Sequence, residues 1–173
     1  MYQVGDWIFY GNVGACQVTE VSKRVIPGLN EEHWYYTLLP FEDSCSISTP
    51  ADTGKVFMRP VLTRSEAIAL IDHIPEIHAE AYYNSALRQL SEHYEKAIKS
   101  HDCLTLIQLT MSIHMKRAEA LLHKKKLGAV DEKFMKRAED LLFGELAVAL
   151  GMERNAVPGY IAGRVAELEK LEA

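Results

Sequence analysis

Seven histidines and three cysteines are the side chains in this 173-residue sequence best suited to metal binding or nucleophilic chemistry. The histidines, His33, His73, His78, His93, His101, His114 and His123, are scattered. Only two tight spacings occur, His101-x-Cys103 and His73 with His78. A zinc site needs paired ligands at both ends of a loop, and neither spacing supplies them. A helix cap and a solvated surface explain these residues better. Cys103 opens a predicted helix, a position that can lower a thiol pKa, but a buried core thiol is the preferred reading. The sequence has no glycine-rich phosphate loop, no serine-centred elbow and no HExxH. Catalysis is therefore not expected, nor is a metal or other cofactor. A small metal-dependent or thiol enzyme would reveal itself by metal in the purified protein or by loss of function on replacing Cys103.

Charge is distributed more informatively. Between positions 113 and 137 stand eight basic residues: Lys116, Arg117, Lys124, Lys125, Lys126, Lys133, Lys136 and Arg137. The acids there are Glu119, Asp131 and Glu132, so this stretch carries +5 in a chain whose net charge is −5. The whole chain is thus no generic polyanion binder, and any nucleic-acid surface must be local. Lysines and arginines clustered across a helix-turn-helix connection can neutralise phosphates and release counterions. The alternative is a solvated turn: Lys136, for example, has Glu132 and Asp140 at i−4 and i+4 and can pair with them. Segregation favours phosphate contact; on charge alone the two readings are level. The octamers MKRAEALL (115–122) and MKRAEDLL (135–142) differ at one position. Each presents a Lys-Arg pair, although common helix-former composition is the simpler origin of the echo.

Two kinds of element must position these residues. Residues 4–21, VGDWIFYGNVGACQVTEV, read as a β-hairpin, with apolar or alternating segments around a glycine-containing turn. A turn at Pro27-Gly28-Leu29-Asn30 leads to an aromatic strand at 33–39, with Trp34, Tyr36 and Leu38 on one face. Short strands at 46–49 and 55–58 follow, the last bracketed by Pro50 and Pro60, and proline favours edges and strand ends. Five short strands suggest a small bent sheet or open barrel over residues 1–62. At Thr63 the period changes. Thr63-Arg64-Ser65-Glu66 has the capping-box form, and a short helix runs to about 74 before Pro75 stops it.

The remainder, 63–173, reads as an all-helical domain, giving an α+β chain. A helix is predicted over 79–99, with Tyr83, Leu87, Leu90, Tyr94, Ala97 and Ile98 as its apolar stripe. Tyr83 is expected in the core, and Glu92–Lys96 and Glu95–Lys99 as exposed i,i+4 pairs. Asp102 is the expected N-cap of the next helix. That helix carries one stripe through Leu104, Ile107, Met111, Met115, Ala118 and Leu122 and a second through Leu106, Leu109 and Ile113. Its first half is expected to be the most buried of all. Asp131 is expected to cap a helix over 132–150 that buries Phe134, Met135, Ala138, Leu141, Leu142 and Leu146 and ends at Gly151. A last helix starts at Asn155 with Pro158 in its first turn.

At 48% apolar, the composition is that of a globular protein. Three distant cysteines suggest reduced thiols and a cytosolic setting. No charged-then-apolar leader and no long uncharged apolar run occur, so neither a signal peptide nor a membrane span is expected.

The opening Val-Gly-Asp, the apolar run and the Gly-containing turn resemble the RNA-polymerase-interacting domain of CarD-like transcription regulators. The family's usual turn contains a proline and a histidine; here it is Gly11-Asn12-Val13-Gly14. Residues 113–147, with a Lys-Arg pair, a lysine-rich turn and Leu142-Phe143-Gly144-Glu145-Leu146-Ala147, are similar to the family's helical domain. The resemblance implies a Tudor-like β domain that grips a lobe of the RNA polymerase β subunit. It also implies a compact helical bundle that touches promoter DNA at the upstream edge of the melted region and stabilises the open complex. Arg24 stands where the family has a polymerase-contacting arginine, and Ser48 where it has another. The family also places a tryptophan wedge near 85–87; here both tryptophans, Trp7 and Trp34, lie in the β part. Arg88 keeps a basic residue beside that position.

The combined expectation is a non-enzymatic, monomeric transcription regulator. Its polymerase-binding residues would be Lys23, Arg24, Ile47, Ser48, Thr49 and Pro50, with 47–49 offering a free edge strand. Its DNA-binding residues would be Arg88, Lys116, Arg117, Lys124, Lys125, Lys126, Lys133 and Arg137. The alternative is a protein–protein adaptor that uses the β domain only and makes no DNA contact.

Overall fold

Period-two alternation does form a sheet at the N-terminal end. A computed structural model of the chain describes residues 1–172. Its strands are β1 (Trp7–Tyr10), β2 (Gly14–Val25), β3 (Glu32–Pro40), β4 (Ile47–Pro50) and β5 (Met58–Pro60). They form one antiparallel open sheet in the order β4-β3-β2-β1-β5. The β2–β3 register shifts between Val18 and Glu20. Such a bulge bends the strand and tightens its twist. The bent sheet encloses Ile8, Tyr10, Cys16, Val18, Tyr36 and Leu38 as a core of its own. Phe9 points the other way, into the helical core. Strand β1 is thus buried on both faces, which explains its unbroken apolar run.

The strand expected at 55–58 forms three residues later. Its partner β1 stops at Tyr10, which pairs with Met58, because the chain turns at Gly11. Residue 57 then supplies only its carbonyl, which accepts the Gly11 N–H at 2.8 Å. Gly14 has φ +96°, and a Cβ there would lie 3.3 Å from Leu141 Cδ2. A glycine lets the hairpin turn reach the helices.

The helices are α1 (Arg64–His73), α2 (Leu87–Ile98), α3 (Cys103–Leu122), α4 (Ala129–Leu150) and α5 (Val157–Glu172), with short 3₁₀ turns at Ile74–Glu76 and Arg154–Ala156. Thr63 and Glu66 form the expected capping box, and Asp102 caps α3. Gly151 ends α4 in the left-handed conformation. All six residues expected on the buried side of α4 are buried. Helix α4 touches β2, α1, α2, α3 and α5, so the sheet and the bundle meet on it.

Four helical expectations need correction. Residues 79–86 are irregular, with a bend at 85–86, instead of opening α2. Their polar groups are already engaged: Ser112 donates to the Glu80 carbonyl (2.8 Å), and Asn84 Oδ1 accepts the Ala86 N–H (2.9 Å). Tyr82 stacks on His93 with centroids 3.7 Å apart. Local side-chain bonds of this kind compete with helix formation. Tyr83 and Leu87 consequently stand 58% and 64% exposed, outside the core. Second, α3 buries its first half, but Met115, Ala118 and Leu122 are exposed, and beyond Ile113 only Lys116 is buried. Third, Gly128 caps α4, and Asp131 lies buried in its first turn. Glu92 and Glu95 take Arg88 and Arg137 as partners, not the expected lysines.

One carboxylate joins the two parts. Glu145 of α4 is fully buried. Its Oε1 accepts Arg59 Nη1 at 2.5 Å and the Leu62 N–H at 3.0 Å; its Oε2 accepts Arg59 Nη2 at 2.8 Å and the Cys103 thiol at 2.9 Å. Arg59 Nε donates to the His101 carbonyl at 3.1 Å, and the guanidinium lies over the Phe9 ring. Burial, then the Glu145 charge, push the Cys103 thiol well above the usual thiol range, so Cys103 is the inert core thiol the sequence suggested.

Among the described residues, no helix is long and apolar enough to cross a membrane, and no group of three metal-ligating side chains converges. Replacing Glu145 with Ala strands Arg59 and should lower unfolding free energy by about 3 kcal/mol or more. Thr63→Ala, which removes only a cap, should cost about 1 kcal/mol. Denaturant titrations of both variants check the ranking.

Candidate functional site

Two surfaces collect the residues singled out by the sequence. The first is the outer face of the sheet. Thr37 on β3 lies opposite Ser48 on β4, and Arg24 stands farther along β2, opposite His33. Arg24 donates to Ser48 Oγ at 2.9 Å and to Ser22 Oγ and Thr37 Oγ1 at 3.3 Å, and it lies over the Tyr35 ring. Lys23 sits over Trp34 and within 3.8 Å of Glu32. Arg24 is thus preset by neutral hydroxyls, with its charge unopposed by a carboxylate.

Strand β4 is a sheet edge, as expected. The Ala51 N–H bonds inward to the Trp34 carbonyl. By antiparallel alternation, Thr49 also bonds inward, and Ser48 and Pro50 turn their main-chain groups outward. Thr49 is therefore corrected: its side chain is buried, its hydroxyl accepts from Tyr10 at 3.1 Å, and it offers nothing at the margin. Ile47 packs its side chain against the sheet core. Ser48 remains the outward group, and Pro50 contributes a carbonyl but no N–H.

The second surface is the α3–α4 corner. Lys124, Lys125 and Lys126 are exposed there. The Lys125 N–H bonds to the Ala120 carbonyl (2.8 Å) and the Lys124 N–H to the Leu121 carbonyl (3.0 Å), a Schellman closure of α3. Lys124 holds φ +55°, the left-handed position that normally takes glycine. Arg117 and Lys133 are also exposed, and none of these five cations forms an ion pair among the described residues.

Two expected DNA contacts change status, and a third, Arg88, does not. Lys116 is 7% exposed; its Nζ lies 2.8 Å from Asp131 Oδ1, and Tyr94 OH donates to the same oxygen at 2.5 Å. Its charge is spent internally, so it is no phosphate contact. Burial and the Asp131 carboxylate raise the Tyr94 phenol far above its ordinary value. Arg137 is half-buried and forked onto Glu95 at 2.8 and 3.3 Å, which holds that carboxyl below the usual range. Arg88 is accessible, with only an exposed pair to Glu92. The two octamers therefore occupy different environments: Lys116 faces in, while Lys136 faces out.

Sequence spacing contained a signal for Lys116. It continues the stripe Leu106, Leu109, Ile113 at a three-residue step, and Asp131 precedes Phe134 on the α4 stripe in the same way. Beside this pair, a cleft of about 470 Å³ opens between the start of α2 and the α3–α4 corner. Its walls include Tyr83, Leu87, Lys125 and Lys126. Ser85 and Leu87 thus line the same open cleft as Lys125 and Lys126.

No family model and no curated protein matches this sequence.

Lys124 closes α3 in a conformation that glycine fills more comfortably, and its side chain forms no ion pair among the described residues. Lys124→Gly should raise stability by up to about 1 kcal/mol while weakening binding to a short DNA duplex. Thermal unfolding and fluorescence anisotropy read the two opposed changes.

Proposed function

We propose that this chain is a transcription regulator that bridges two partners. Its sheet, read as a Tudor-like domain, docks on the RNA polymerase β subunit, and its helical part contacts promoter DNA without reading sequence. The observation that carries this reading is the lysine corner: exposed cations with no carboxylate partner, gathered at one turn of a chain whose net charge is −5. In an acidic protein, such a patch is the electrostatic footprint expected of a phosphate contact. The free β4 edge and preset Arg24 support the protein-docking half. A partner strand would bond to the outward main-chain groups of Ser48, and Arg24 would pair at the rim.

Two weak contacts on one rigid body act through effective concentration. Docking on polymerase brings the lysine corner close to the duplex, so a modest phosphate contact becomes an intramolecular one. Any polymerase–promoter state that presents both surfaces at the right span is then stabilised, the open complex among them. The body must be stiff for this to work, and the buried Arg59–Glu145 clamp supports stiffness.

Arg24→Glu should reduce capture of RNA polymerase while leaving fold and DNA affinity unchanged; an unaltered pull-down contradicts the contact. Joint replacement of Lys124, Lys125 and Lys126 by Ala should weaken duplex binding evenly across sequences, as lost phosphate contacts do. If that variant binds duplex like the parent, the chain is a protein–protein adaptor.

A further inference from the structure

The cleft beside the lysine corner has a chemistry that duplex binding does not use. Its volume, about 470 Å³, lies in the range of roughly 300–1,000 Å³ typical of small-molecule sites. Tyr83 stands on its wall, 58% exposed. The Tyr83 hydroxyl donates to Glu119 at 2.7 Å, which fixes the ring, and Lys116 Nζ lies 4.9 Å from the ring centroid. An aromatic ring held still and left open is a stacking platform, not a core residue. Leu87 adds apolar surface.

The floor is the Lys116–Asp131 pair. Lys116 and Tyr94 both bond to Asp131 Oδ1, leaving Oδ2 without a hydrogen-bond partner among the described residues. The pair is neutral overall and offers a donor and an acceptor side by side, which suits the polar edge of a nucleobase. Lys125 and Lys126 line the rim. Glu119 also lines the cleft, where its carboxylate accepts from Tyr83 and keeps its negative charge, against the two lysines of the rim. Apolar stacking wall, neutral polar floor and cationic rim are the three surfaces that one nucleotide requires.

The geometry points to this cleft as a binding site for a single unpaired nucleotide, its base stacked on Tyr83 over Lys116 and Asp131 and its phosphate at Lys125 and Lys126. The same chemistry is presented by a free nucleoside monophosphate and by an unpaired residue in a nucleic-acid strand. Such a site goes beyond duplex contact by the lysine corner, since a paired base has its faces stacked and its Watson–Crick edge engaged, and shows only its groove edges.

The full chain is titrated with guanosine 5′-monophosphate, with a short single-stranded oligonucleotide, with its abasic counterpart and with inorganic phosphate. Base-bearing probes should bind more tightly than base-free ones. Tyr83→Ala should weaken them about fivefold or more, Tyr83→Phe, which keeps the ring but loses its anchor on Glu119, should weaken them less, and Lys125→Ala with Lys126→Ala should weaken them too. Binding of the monophosphate identifies a free nucleotide as the source; binding of the oligonucleotide alone identifies an unpaired strand. Equal binding of base-free probes, indifference to Tyr83→Ala, or no binding at all overturns the site. Duplex affinity of the Tyr83→Ala protein separates the two ideas. If the cleft fails while the triple lysine variant still loses duplex binding, the proposed function stands without it.

Discussion

A single buried carboxylate holds this molecule in one piece. Glu145 sits in the last third of α4 with no solvent contact, and such a charge is tolerable only if its lone pairs are used. It is used four times over: by the Arg59 fork from β5, by the Leu62 amide just beyond it, and by the Cys103 thiol at the start of α3. The donors come from the sheet edge, the connection and the bundle, so the clamp forms only when all three are in place. Phe9 and Gly14 finish the junction, one by entering the helical core and the other by letting the hairpin turn approach Leu141. The sheet and the helices are therefore packed as one body, although each has its own apolar cluster.

Charge at the far end of α3 and α4 is sorted by the same logic. Lys116 and Asp131 are drawn inward and cancel each other beneath Tyr94. Lys124, Lys125 and Lys126, a turn or two away, have nothing to cancel them. One of them even adopts a backbone conformation that glycine fills more comfortably. Side chains that pay for packing are thus separated from side chains available to a partner. The eight-residue basic count in the sequence overstated the outward charge, because it could not tell these groups apart.

Local chemistry made much of the fold legible. The hairpin, the Thr63 capping box, the Asp102 cap, the Gly151 stop and the α4 stripe all follow from interactions within a few residues of one another. Segment 79–86 was misread because its apolar spacing mimics a helix, while its polar groups are satisfied by Ser112 and by an Asn84 turn. Arg59 and Glu145 lie 86 positions apart, and nothing local marks them as partners. Lys116 is different: its place on the apolar stripe was visible, but a lysine among basic neighbours reads as surface. The edge strand matched expectation to within a residue, the Arg24–Ser48 contact was not foreseen, and Thr49 turned inward by simple alternation.

Function, on this account, depends on whether the uncompensated lysines meet phosphates. Counterion release makes that measurable on the intact protein. The affinity of the full chain for a fluorescent duplex, followed across a salt series, should fall with a log–log slope of about −3 to −5, as three to five phosphate contacts require. A slope near zero would mean that the lysine corner touches no phosphate, and the nucleic-acid half of the account would be wrong.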